Sequence, residues 1–277
     1  MAAGLTGLAF TQETQAQGES QGTPPLKGRI KQSVCKWCYE GLSLEELCQA
    51  AVKIGLKSIE LLGEQDWPML KKYGLYCAMP SGPGGISKGW NRIAHHAELI
   101  AKSEEMLPKI AEAGYDQMIV FSGNREGQED AEGIKNCALG LKKITPLAEK
   151  LGVTLSMELL NSKRSHKDYQ CDHTVWGVEL CKQVESDRFK LLYDIFHMQI
   201  MEGDVIDTIQ ENIDYISHFH TGGVPGRGEI DETQELNYKR ICEAIADTGY
   251  QGYVGQEFVP KRDPLASLEQ AVRICDV

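Results

Sequence analysis

Four times in this chain a helix-like stretch stops at a glycine and a strand-like stretch begins at once: KIG-LKSIEL, EAG-YDQMIVF, KLG-VTLSME and DTG-YQGYVGQ. A glycine just past a helix takes the left-handed conformation that ends it, and a short apolar run after it reads as a strand buried on both faces. From residue 31 onward the alternation recurs about every 30 residues, the length a strand needs to cross back through a helix to a parallel neighbour. The periodicity predicts strands at Ser33–Tyr39, Lys57–Leu61, Leu75–Met79, Gln117–Phe121, Thr154–Leu159, Phe189–Asp194, Ile216–His220 and Gly252–Phe258. Amphipathic stretches lie between them, the first opened by a Ser43-x-x-Glu46 capping box. Eight such units predict an α/β chain folded as a single-domain (β/α)8 TIM barrel over 31–277, which fills about 250 residues as one core. An open doubly wound sheet would place a glycine-rich phosphate turn after its first strand, and Tyr39-Glu40-Gly41 is not one.

Bulk properties narrow the function. The formal net charge of −11 opposes nucleic-acid binding, which needs a basic face to displace counterions from phosphates. Nine scattered cysteines are not the dense framework of a disulfide-stapled domain, and Cys35-Lys36-Trp37-Cys38 lacks a second pair to complete a zinc site, so both read as ordinary barrel residues. No apolar window is long enough to span a bilayer. Residues 1–30 start with a short small-residue apolar run and continue as a polar Gln/Gly/Pro tract. They read as an export-signal remnant and flexible linker, which predicts a periplasmic or otherwise exported protein, with a cytoplasmic disordered tail as the alternative. A small-molecule partner is expected, and homo-oligomerisation is left open.

In a TIM barrel the C-terminal ends of the strands carry the active site. Those ends hold Glu158 in TLSMELLN, Asp194 in LLYDIFHMQ, His220 in ISHFHTGG and Glu257 in YVGQEFVP. They are 36, 26 and 37 positions apart, one strand–helix unit each, so four consecutive strands present them at a similar height. An isolated carboxylate in an apolar run is costly to bury, and three converging ones repel. A divalent cation removes both problems, and three carboxylates with one imidazole suit Mn2+, Mg2+, Zn2+ or Co2+. Asp194 alone would pass for a helix cap; the other three strand ends make it a ligand instead. His220 is preferred to His218 on the same face because it lies nearer the mouth. His197 is placed to reach a substrate oxygen, and Arg227 in GGVPGRGE lies where barrels bind anions. PSGPGGISKGWN, residues 80–91, is expected as a mobile loop over the mouth.

These motifs carry a resemblance. With SMELLN, LLYDIFHMQ, HFHTGGVPGRGE and GQEF, the chain from Val34 to about Val277 resembles the xylose isomerase-like, metal-dependent TIM barrels, and among them the hydroxypyruvate isomerases. The resemblance implies a metal held at Glu158, Asp194, His220 and Glu257, proton transfer by Glu158 and Glu257, and substrate held by His197 and Arg227. It implies an aldose–ketose isomerase working through an enediolate, with hydroxypyruvate converted to tartronate semialdehyde. His220 stands where hydroxypyruvate isomerases often carry Gln and ketose 3-epimerases carry His, which keeps a ketose 3-epimerase as an alternative. An exported sugar-binding protein without catalysis is the alternative of another class.

Overall fold

The computed structural model describes Met1 and residues 24–277. Of the expected leader and linker, residues 1–30, residues 2–23 lie outside the described residues. Beyond them, Leu26 packs on the core and the Lys27 N–H donates to Asp276 Oδ1 at 2.7 Å, so the approach to the first strand is held against the barrel.

Among the described residues the elements alternate as expected: β1 (Lys31–Cys35), α1 (Leu44–Ile54), β2 (Ser58–Glu60), α2 (Trp67–Lys72), α3 (Ile93–Glu112), β3 (Gln117–Val120), α4 (Asp130–Leu151) and β4 (Thr154–Glu158). There follow α5 (Thr174–Val184), β5 (Phe189–Asp194), α6 (Ile195–Met201), α7 (Val205–Asn212), β6 (Ile216–Thr221), α8 (Tyr238–Asp247), β7 (Tyr253–Gln256) and α9 (Pro264–Ile274). The punctuation works as read. Ser43 and Glu46 exchange both bonds of the capping box, and Gly55, at φ +100°, closes α1 by donating to Ala51 O. No helix of the described residues is long and apolar enough to cross a membrane.

The sheet is parallel throughout, in the order β2-β1-β7-β6-β5-β4-β3. Its two ends are joined by residues 76–81. On the β2 side the Tyr76 N–H donates to Lys57 O, the Leu61 N–H to Met79 O and the Ser81 N–H to Leu62 O, and on the β3 side the Ile119 N–H donates to Pro80 O. This closes a (β/α)8 barrel, with the expected strand Leu75–Met79 reduced to isolated bridges at Tyr76 and Pro80. Proline at 80 lacks the N–H a regular ladder would use there. The first strand is also shorter than expected: β1 ends at Cys35, and Lys36–Tyr39 form a 3-10 turn.

Nearly every strand residue is buried, because helices cover the outside and side chains fill the inside. Met79, Ile119 and Leu192 form a separate apolar cluster, with Leu61 and Phe121 packed against it.

Candidate active site

Glu158 is the last residue of β4, Asp194 the last of β5, His220 the last but one of β6, and Glu257 follows β7 directly. The ends of these four strands bring one ligand atom from each residue within 4.8 Å of the others, all buried. The sequence treated the cap and ligand roles of Asp194 as exclusive, and the structure corrects this. Asp194 Oδ1 accepts from the His197 N–H at 3.2 Å and caps α6, while Oδ2 faces the cluster and accepts from Arg227 Nη2 at 2.9 Å.

Arg227 enters from the loop after β6. It holds φ +51°, a left-handed backbone uncommon for a non-glycine residue. The turn is fixed by Val259 N–H donating to Arg227 O at 2.7 Å and Gly223 N–H donating to Gly228 O at 2.8 Å. Its guanidinium donates to Asp194, to Glu257 Oε2 and the Glu257 carbonyl, and to His197 Nε2 at 2.6 Å. It also lies over the rings of Trp37 and Phe196, at 5.4 and 4.9 Å.

His197 is buried, with its Nδ1 2.5 Å from Asn161 Nδ2 and the Arg227 donor at Nε2. A neutral ring has one lone pair, which at Nε2 accepts from Arg227, and an imidazolium has none to offer it. Burial first, and Arg227 second, accordingly hold His197 well below the usual histidine range. His166 packs edge-on against it with ring centres 5.2 Å apart and is shifted down for the same reasons.

Besides His166, three residues matter here that sequence reasoning passed over. Trp37 Nε1 donates to Glu257 Oε1 at 2.7 Å, so the 3-10 turn after β1 reaches the site. Asn161, quoted within SMELLN, anchors the turn that carries His166 by accepting from the Arg164 and Ser165 N–H groups. Glu60, at the end of β2, is fully buried, and its Oε1 accepts from His218 Nε2 at 2.9 Å and His220 Nε2 at 2.8 Å. The clue to Glu60 was the same as for the other carboxylates, a lone acid at the end of an apolar strand (SIELL). Gly255 on β7 leaves room for it: a Cβ there would lie 2.2 Å from Glu60 Oε1.

The donor set fits a divalent cation. Because Glu60 accepts at Nε2, the Nδ1 of His220 is turned toward the carboxylates, 3.3 Å from Glu158 Oε1 and 2.8 Å from Glu257 Oε2. Of the four buried carboxyls, Glu60 included, only Asp194 and Glu257 meet the guanidinium, an arrangement that needs protons or a further cation. The titration behaviour reflects that need. Burial pushes Glu158 up, and it pushes Asp194 up to about 8 against the pull of Arg227. Burial opposes the charge on Glu257 too, but Arg227 and His220 outweigh it and hold that carboxyl well below its usual range. Burial likewise opposes the charge on His220, yet the Glu257 carboxylate, with a hydrogen bond to Glu158, carries it well above the usual histidine range. All nine cysteines are free and buried, and burial drives the Cys35 and Cys38 thiols far up, where they stay protonated.

A cavity of about 520 Å³ opens above the cluster. Glu158, Glu257, His197, His166 and Arg227 form its polar end, with Leu61, Ile119, Phe121 and Leu160 as the apolar wall. Ser81, Gly82, Gly84 and Ile86 also line it, which puts the glycine-rich loop over the mouth. Asp194 and His220 do not reach the cavity; they lie below it, fully buried.

Comparison with known proteins agrees with this architecture. Over 117 residues the chain is 36% identical to a 2-oxo-tetronate isomerase of Cupriavidus necator, covering 42% of this chain and 44% of that protein. It is 35% identical over 121 residues to a D-psicose 3-epimerase of Ruminiclostridium cellulolyticum, covering 42% and 38%. The matches thus span about two fifths of these relatives. The crystal structure of an AP endonuclease, family 2, from Brucella melitensis superimposes with a TM-score of 0.79 at 23% identity, covering 86% of this chain and 97% of that one, a likeness of fold alone. The profile of the xylose isomerase-like TIM barrels matches residues 48–276, and the chain belongs to that family.

Proposed function

We propose that this chain is an isomerase that moves a proton between neighbouring carbons of a small α-hydroxy carbonyl compound, a sugar or a keto acid. One observation carries the reading. Of the four candidate ligands, only Glu158 and Glu257 line the cavity, and β5 and β6 stand between the strands that bear them. A substrate seated there has a carboxyl group on each side. One glutamate takes the proton α to the carbonyl, and a proton returns to the neighbouring carbon from the same or the opposite carboxyl, by way of an enediolate. Bound at Glu158, Asp194, His220 and Glu257, a Mn2+, Mg2+, Zn2+ or Co2+ ion would supply Lewis-acid polarisation of the substrate carbonyl. Trp37 and Arg227 hold the two oxygens of Glu257, which fixes the direction of its free lone pairs. His197, neutral and wedged between Asn161 and Arg227, orients substrate oxygen.

The leading substrate is hydroxypyruvate, giving tartronate semialdehyde, with Arg227 facing the carboxylate. A second reading, a ketose 3-epimerase, is favoured by the donors of Arg227 being engaged by Asp194, Glu257 and His197, which leaves little for a substrate anion. The test is incubation in D2O with Mg2+, Mn2+, Co2+ or Zn2+, the ion then chelated and the solutes examined by NMR. Deuterium at C3 of hydroxypyruvate, with tartronate semialdehyde formed, supports the first reading. Deuterium at C3 of a ketohexose supports the second. Binding without exchange of any carbon-bound proton overturns both in favour of a sugar-binding protein.

A further inference from the structure

The proton-transfer reading leaves one buried acid without a task. Glu60 is wholly enclosed, and it is the partner of His220 on the side away from the candidate ligand cluster. We infer that Glu60 is a positioning residue for the candidate metal centre, holding His220 in the one tautomer and ring orientation that aims Nδ1 at Glu158, Asp194 and Glu257. The inference rests on the metal reading of that cluster.

The geometry argues for this in three steps. First, Glu60 Oε1 lies 2.8 Å from His220 Nε2 and 2.9 Å from His218 Nε2, so it accepts from two imidazoles at once. A carboxylate has no proton to give, so Nε2 of each ring carries the hydrogen, and Nδ1 is the nitrogen that each neutral ring has to offer. Second, the two Nδ1 atoms have different surroundings. That of His220 faces Glu158 and Glu257, whereas that of His218 is buried with no partner among the described residues. Glu60 therefore uses His218 as a lateral brace; the two rings stand nearly perpendicular, at 89° with centres 5.2 Å apart. Third, the backbone has been cleared for the acid: Gly255 on β7 has no Cβ at a point 2.2 Å from Glu60 Oε1 and 2.9 Å from His220 Cδ2. A histidine ligand whose second nitrogen donates to a carboxylate is both fixed in direction and made a stronger donor to the metal. The rival use of the same atoms, a second cation held by Glu60, His218 and His220, would require both Nε2 atoms to lose their hydrogens.

The experiment measures Mn2+ affinity and stoichiometry on the full chain, by titration calorimetry, for wild type, Glu60→Gln, Glu60→Ala and His220→Ala. His220→Ala loses a ligand and is the reference for a damaged site. Glu60→Gln keeps size and one acceptor, so the Kd should rise roughly tenfold, and Glu60→Ala should raise it by roughly 10–100-fold. In the Zn2+-loaded wild type, proton–nitrogen NMR should show His220 with a retained Nε2–H, and Glu60→Ala should lose that signal. A residue that merely packs would lower the melting temperature but leave both the Kd of the folded protein and the His220 signal unchanged, and that result overturns the proposal. Two Mn2+ ions per wild-type chain overturn it as well. If the wild type binds no Mn2+, or His220→Ala binds it as wild type does, the metal reading itself fails, an outcome separate from a failure of Glu60 alone.

Discussion

At the scale of single residues the site is a set of acids and bases that differ in what faces them. Glu158 and Glu257 have the same side chain and the same cavity, yet burial raises one while Arg227 and His220 depress the other. Divergence of this kind between two carboxyls is how acid and base roles are divided. Each of Glu158→Gln and Glu257→Gln should abolish turnover in the D2O assay while leaving circular dichroism unchanged; near-normal turnover in either removes it from proton transfer. Trp37→Phe deletes the N–H that reaches Glu257 and should lower kcat by roughly 10–150-fold, in line with roughly 1.5–3 kcal/mol for a hydrogen bond to a charged group. Steady-state kinetics on the best substrate measure it. His197 gives a pH prediction. Its folded-state pKa lies below the unfolded value of 6.5. Below that pH the unfolded chain takes up a proton that the folded one refuses, so stability is present above pH 6.5 and lost as the pH falls. Melting temperatures from pH 7 to 5 should drop less steeply in His197→Gln than in wild type; equal slopes would mean that the ring is not held neutral.

The four strand-end ligand candidates were legible because an acid or imidazole in an apolar run has few other reasons to be there. Glu60 carried the same mark, but β2 lies outside the run of consecutive strands that drew attention to the others. Trp37, Asn161 and His166 carried no mark at all. A tryptophan in a turn and an asparagine after a strand are ordinary residues, and only the folded chain shows that they meet Glu257 and His197.

At the scale of elements, the helix–glycine–strand rhythm was a reliable guide because a left-handed helix end is a local event. The extent of each strand was not, since pairing depends on partners far away in sequence. Leu75–Met79 has the composition of a strand, yet Pro80 and the glycines after it leave bridges in place of a ladder. β7 provides the element-scale test. Gly255→Ala would push a methyl group against Glu60 and His220. It should weaken Mn2+ binding as Glu60→Ala does, although residue 255 offers no ligand; calorimetry on that variant decides whether the strand backbone is part of the site's support.

At the scale of the whole molecule, a bound ion would tie four strands together at one end of the barrel. An ion that binds only the folded chain, at 100 times its Kd, adds roughly 2.7 kcal/mol. For a domain of this size that corresponds to roughly 5–10 °C in melting temperature. Differential scanning calorimetry with Mn2+ and then with excess chelator should show the rise and its reversal. Melting curves indifferent to every divalent ion would leave the strand-end cluster without a cation to hold.

The double duty of Asp194 bears on how such a molecule can change. One oxygen starts α6 and the other faces the cluster, so the position couples scaffold and chemistry through a single side chain. Asparagine caps helices as well as aspartate does but carries no charge. Asp194→Asn should therefore keep the architecture and lose the chemistry, whereas Asp194→Ala gives up both. A designer, or natural drift, can cross from catalyst to inert container at this residue by way of asparagine without the chain ever having to unfold.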